Sequence, residues 1–126
     1  MARLFNVEVF NRVISDNAVT GFNSSQDFAA LLGSADALKV QVIVDSIPIA
    51  GTLITIEVFT NNSTTEETWT QIQAAGWSKA IALTALCPVA EYFSLAAADF
   101  GAFIRFRVSS SNPGSSVRLI ACGRTV

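Results

Sequence analysis

Histidine is missing altogether. That removes the usual general base near neutral pH, and with it the serine and cysteine triads that depend on an imidazole. Charge is scarce as well: 14% of residues are Asp, Glu, Lys or Arg, against about 25% in an ordinary soluble domain. Ten acids and eight bases leave a formal charge of −2, so no general attraction to nucleic acid is expected and direct binding to it is not proposed. No apolar run approaches the roughly 20 residues needed to span a bilayer, which argues against a membrane segment. Met1-Ala2-Arg3-Leu4-Phe5-Asn6 enters polar alternation directly, without the hydrophobic region of a signal peptide. The expected site of synthesis is therefore a cytosol, where Cys87 and Cys122 would stay as two buried or half-buried thiols. Two thiols without a histidine do not make a zinc site.

Other chemistry is thin too. The phosphate-cradling glycine loop, the dinucleotide fingerprint and EF-hand spacing are all absent, so no cofactor or metal is expected. Glu66 and Glu67 are neighbours and in a strand would point to opposite faces, whereas glycosidase chemistry needs two facing carboxylates. At the tip of a polar loop they serve solubility. Asp16-Asn17, Asp27, Asp36 and Asp99 sit singly in turn contexts, where such side chains bond nearby backbone. Asn23-Ser24-Ser25, Asn61-Asn62-Ser63 and Asn62-Ser63-Thr64 match the glycosylation acceptor rule, but without an export signal they read as polar loop chemistry. No catalytic residue is proposed, and the chain is expected not to be an enzyme.

What the chain does have is apolar alternation. Over half of its 126 residues are hydrophobic, and a domain of this length can bury roughly two thirds of the surface its unfolded form exposes. No linker or internal repeat divides it, so residues 1–126 are read as one domain. Period-two patterning is firmest in Phe5, Val7 and Val9; in Leu38, Val40, Val42 and Val44; in Ile54, Ile56 and Val58; in Ile104, Phe106 and Val108; and in Val117, Leu119 and Ala121. Shorter alternation marks Val19 to Phe22, Asp27 to Leu32, Thr68 to Ile72, Lys79 to Leu86 and Tyr92 to Leu95. Leu95 to Phe100 is the one helix candidate, and at that length a single turn. Asn112-Pro113-Gly114, at the centre of Ser109 to Ser116, predicts a hairpin loop, and Pro48 with Gly51 predicts another turn. About eight short strands with such turns imply an all-β, antiparallel β-sandwich or jelly roll.

The outward faces carry the functional signal. Phe10, Ile43, Phe59, Phe103 and Ile120 fall on strand faces that should be polar. If they share one sheet face they form an apolar patch rimmed by Asn, Thr, Arg and Glu, the make-up of a protein contact surface. A loop or terminal segment of the same chain covering them is the other reading, and the low charge favours a partner. A symmetrical Ser109–Ser116 hairpin would set Arg107 opposite Arg118, with Arg105 on the same face. Like charges so placed cost stability unless neutralised. Glu8, Glu57 or Asp45 on neighbouring strands would do that, or the guanidinium groups would grip a carboxylate or phosphate on a partner. Trp77 and Tyr92, exposed together at one end of the sandwich, would instead form a sugar-stacking platform, the chief alternative function; Trp69 reads as a core or rim residue.

The run Ile54-Thr55-Ile56-Glu57-Val58-Phe59-Thr60-Asn61-Asn62 followed by Thr68-Trp69, and the later Phe103-Ile104-Arg105-Phe106-Arg107-Val108, resembles a small β-sandwich pattern of bacteriophage virion proteins. Discoidin-like carbohydrate-binding sandwiches share a similar look. The phage resemblance implies a capsid, decoration or tail-associated protein, made in a host cytoplasm, built into the virion in many copies and partnered by itself or by other virion proteins. Contacts would then run through Phe10, Ile43, Phe59, Phe103 and Ile120, with Arg105, Arg107 and Arg118 as their polar companions.

Overall fold

The alternating segments become strands because each can turn one side chain in two toward a common interior. A computed structural model describes residues 3–14, 34–63, 68–73, 75–96 and 101–125. Its strands are β1 (Arg3–Ile14), β2 (Ala37–Ser46), β3 (Thr52–Asn61), β4 (Thr70–Gln71), β5 (Trp77–Ile81), β6 (Val89–Ala96), β7 (Phe103–Ser110) and β8 (Ser115–Thr125). The first sheet has the order β1-β8-β2-β6. In the second, β3 is flanked by β7 on one side and on the other by β5 and then β4. Every pairing is antiparallel. The fold is an antiparallel β-sandwich, as the alternation implies.

Between the sheets lies one core. Leu38, Val40, Val42 and Val44 of β2 and Val117, Leu119 and Ala121 of β8 face Ile54, Ile56 and Val58 of β3 and Ile104, Phe106 and Val108 of β7. Phe93 of β6 meets Phe106 edge-on at a centroid distance of 6.4 Å, which joins the two layers. Each fully buried aliphatic or aromatic side chain here stabilises the fold by about 1.5–3 kcal/mol. All five firm strand assignments fall in this core.

The turn at Ser111–Gly114 does not close a hairpin. β7 pairs with β3 from Ile54↔Ser110 to Asn61↔Phe103, while β8 pairs with β1 and β2. The connection therefore crosses from one layer to the other, and Arg107 and Arg118 come to lie on opposite outer surfaces instead of facing each other. A buried Ser110 Oγ to Ser115 Oγ contact of 2.9 Å ties the crossing together. Among the shorter assignments, Thr68 to Ile72 contains the two-residue β4, Lys79 to Leu86 divides into the end of β5 and a 3₁₀ turn at Thr84–Leu86, and Tyr92 to Leu95 lies within β6. Leu95 and Ala96, the start of the helix candidate, belong to β6. The expected strands Val19–Phe22 and Asp27–Leu32 lie outside the described residues, as do Asp16, Asn17, Asp27, Asp99, Asn23-Ser24-Ser25, Glu66 and Glu67.

Candidate interaction surfaces

The outer surface of the first sheet follows from the register. Tyr92, Gln41, Ile120 and Glu8 form one transverse row across β6, β2, β8 and β1. Toward the turn that holds Gly114, the next row is Ala90, Ile43, Arg118 and Asn11; toward the other end it is Ser94, Lys39, Cys122 and Asn6, and then Ala37, Arg124 and Leu4. Tyr92 is 59% exposed, Leu4 and Val13 similarly so, and Ile43 and Ile120 are half-buried. Arg118 donates from Nε to Asp45 Oδ2 (2.8 Å) and from Nη2 to Asp45 Oδ1 (2.9 Å). That bidentate grip raises the guanidinium pKa above its already high ordinary value, with a smaller contribution from Glu8. At the opposite end Lys39 lies 5.0 Å from the centre of the Tyr92 ring.

The outer surface of the second sheet is built differently. Arg105 and Arg107 of β7 stand beside Phe59 and Glu57 of β3. Arg107 sends two 3.3 Å hydrogen bonds to Glu57, and its guanidinium carbon lies 4.5 Å from the centre of the Phe59 ring. Arg105 packs in the same way on Trp69, at 5.3 Å. Strand cations are thus stacked on aromatic faces, which spreads their apolar stems over the surface. Thr55 and Ser78 continue the polar lattice through a 3.2 Å hydroxyl contact.

Phe10, Ile43, Phe59, Phe103 and Ile120 do not share a face. Ile43 and Ile120 are on the first sheet, and Phe59 and Phe103 are on the second. Phe10 is not outward at all. The β1–β8 register shifts between Glu8 and Phe10, a β-bulge that turns both Val9 and Phe10 into the core, where Phe10 pairs with Leu119. Phe59 keeps its outward position but is only 7% exposed, with Arg107 over its ring. Phe103 is half-buried. The arginines each have a carboxylate or aromatic companion: Asp45 for Arg118, Glu57 for Arg107 and the Trp69 ring for Arg105. Of the acids weighed as neutralisers, Asp45 and Glu57 make the direct contacts.

The sugar platform is not assembled either. Tyr92 points out from the first sheet, whereas Trp77 of β5 is half-buried and packs against the core. The Trp77 indole N–H donates to Glu91 Oε1 at 3.2 Å, and Lys79 forms an ion pair with Glu91. These contacts clasp the flank of β5 away from β3 to the flank of β6 away from β2. The Lys79 ammonium first, and the Trp77 N–H second, hold the Glu91 carboxyl below its usual range. No alternation pattern could have revealed this clasp, because it joins edges of different sheets.

Loop chemistry follows expectation at Asn61 and Asn62. Asn61 Oδ1 accepts from Ser63 N–H and the Thr68 hydroxyl, and Asn62 Oδ1 accepts from Ala102 N–H. Both cysteines are free and half-buried. Among the described residues, no helix is long and apolar enough to cross a membrane.

No family model matches the chain, and no curated protein matches its sequence. Solved structures share its fold. The infectious bursal disease virus VP2 subviral particle superposes with a TM-score of 0.56 over 98% of this chain and 33% of that one, at 12% identity. The Gt strain of the same virus gives a TM-score of 0.53 over 98% and 33%, at 11% identity. The SPBc2 prophage-derived protein YomS is similar over 98% of this chain and 96% of its own, with a TM-score of 0.48 and 14% identity. The likeness is one of fold, a β-sandwich, and the chain spans about a third of the length of the virus chains it matches.

Proposed function

We propose that this chain is a non-enzymatic structural protein of a virion, a capsid, decoration or tail-associated part that works by associating with copies of itself or with other particle proteins. The observation that carries the reading is the make-up of the first sheet's outer surface. On it Arg118 and Asp45 neutralise each other, while Tyr92, Leu4 and Val13 remain more than half exposed beside half-buried Ile43 and Ile120. Large apolar side chains left exposed together on one sheet face, with polar and charged neighbours around them, favour protein contact over isolation in water. The fold it shares with the virus VP2 chains is compatible with such a role, though a shared fold alone does not assign it.

Size-exclusion chromatography with light scattering, followed by electron microscopy of the purified chain, tests the proposal. Concentration-dependent growth beyond the monomer mass is the expected result. A strictly monomeric protein at its highest soluble concentration, with no assembly seen by microscopy, would overturn self-association.

A further inference from the structure

The geometry points to a binding site for an acidic saccharide, a sugar ring bearing a carboxylate or sulfate, at the Lys39 and Arg124 end of the outer face of the β1-β8-β2-β6 sheet. The inference goes beyond assembly and does not depend on it.

Two cations carry the argument. Lys39 is the ladder partner of Cys122, and Arg124 follows two residues after Cys122 on the same strand and face. The two are therefore diagonal neighbours on adjacent strands, at a spacing of about 7–8 Å. Both are exposed. Lys79, Arg107 and Arg118 each hold a carboxylate, whereas among the described residues none is bonded to Lys39 or Arg124. Glu8, on the same face, accepts instead from Asn11 at 2.9 Å. Asp36, joined to Arg124 by a backbone hydrogen bond, brings one negative charge against two positive. Like charges at this spacing repel. An anion seated between them removes that cost and gains charge-assisted hydrogen bonds.

The surface has room for more than an anion. A cavity of about 290 Å³ is lined by both cations with Leu4, Ser94 and Cys122. Lys39 and Cys122 also line a second, of about 350 Å³, whose other walls include Asn6, Gln41 and Tyr92. Each is near the lower end of the range for small-molecule sites. The Tyr92 ring, 59% exposed, offers a stacking surface to the C–H face of a sugar. Asn6 and Gln41 bring carboxamides, which donate to one hydroxyl and accept from its neighbour. The floor is formed by β8 and β2, each paired on both sides, so their N–H and C=O groups are spent in the ladders. A peptide main chain laid here finds no backbone partner, while a hydroxylated ring needs side chains alone. An anion held by the cations, a ring on Tyr92 and hydroxyls on the carboxamides together describe an acidic sugar. Trp77 plays no part in this site.

Calorimetric titration of the full chain tests this with four probes: a galacturonic acid trisaccharide, a sulfated heparin-type disaccharide, neutral maltotriose and triglutamate. Binding of either acidic saccharide, but not of maltotriose or triglutamate, is the expected result, and the first two probes tell carboxylate from sulfate. Raising the ionic strength toward about 1 M, where charges are screened beyond about 3 Å, should weaken it. Lys39→Glu and Arg124→Glu are each expected to lower affinity at least about tenfold, and Tyr92→Ala at least about fivefold. Lys39→Arg should retain binding, and Ser78→Glu, on the other sheet, should leave it unchanged. All five positions are exposed or on the surface, and circular dichroism melts establish that each variant is folded. If neither acidic saccharide binds at millimolar concentration, the site is refuted, whatever chromatography shows of self-association. Equal binding of triglutamate would reduce the site to charge alone and overturn the saccharide. Equal binding of maltotriose, or full affinity in folded Lys39→Glu and Arg124→Glu, would remove the cations from the site and the inference with them.

Discussion

Gly123 should tolerate no side chain as long as Phe5 stands opposite it. The two residues are register partners in the β1–β8 ladder. A Cβ built on Gly123 would lie 2.0 Å from Phe5 Cζ and 2.3 Å from Cε1, where ordinary contact begins near 3.4 Å. The ring therefore covers the glycine, and Gly123→Ala must push it aside by more than an ångström. Overpacking of this kind costs about 1–3 kcal/mol. With an unfolding entropy of about 2.1 cal/mol/K per residue, a chain of this size loses roughly 4–11 °C in Tm. The decisive assay is a double-mutant cycle followed by urea or thermal unfolding. In a Phe5→Ala background the obstruction is gone, and Gly123→Ala should become neutral or stabilising by about 0.4–1 kcal/mol through the unfolded chain. Equal effects of Gly123→Ala in both backgrounds would refute the register and the ring placement together.

Phe10→Ala should cost about 3–5 kcal/mol, as expected for a ring lost from a core, whereas Ile43→Ala should cost far less; chemical denaturation compares the two, and parity would contradict the bulge. Gly76→Ala should destabilise by about 1–3 kcal/mol, because its φ of +127° disfavours a side chain and its Cβ would sit 2.6 Å from the Ile56 carbonyl oxygen; a thermal melt reads the loss. Glu91 is held below the ordinary value of 4.5, so the folded state binds fewer protons there than the unfolded state. Its contribution is complete above that value and is lost as pH falls through the lowered one. Glu91→Gln should therefore flatten the acid limb of Tm against pH, and an unchanged limb would count against the clasp with Lys79 and Trp77.

The sheets were legible because burial on one face writes a period of two into β2, β3, β7 and β8. The outward-facing apolar residues were legible only in part. Ile43 and Ile120 stand out as apolar residues among polar neighbours, and the structure leaves both on an outer face. Phe10 shows the same local pattern but faces inward, since one extra residue in β1 reverses the direction of every later side chain. Nothing near Glu8-Val9-Phe10 announces that bulge. The Ser111–Gly114 turn has the chemistry of a hairpin, yet turn residues specify a reversal and not the sheet that receives the returning strand. That distinction put Arg107 and Arg118 on opposite surfaces. Acidic companions for them were foreseeable from strand composition, but which acid meets which arginine depended on long-range pairing.

The partnership of β1 with β8 sets a timetable for synthesis. Residues 3–14 leave the ribosome first but find their ladder partner only when residues 115–125 have been made. β2 waits for β8 as well, because β8 lies between it and β1. Until then β1 and the lateral edge of β2 toward β8 are unsatisfied strand templates, and pairing at such sequence separation is slow. A nascent chain halted before β8 should therefore be protease-sensitive and prone to pair with its neighbours on a polysome, and release of the last strand should end both hazards in a single step.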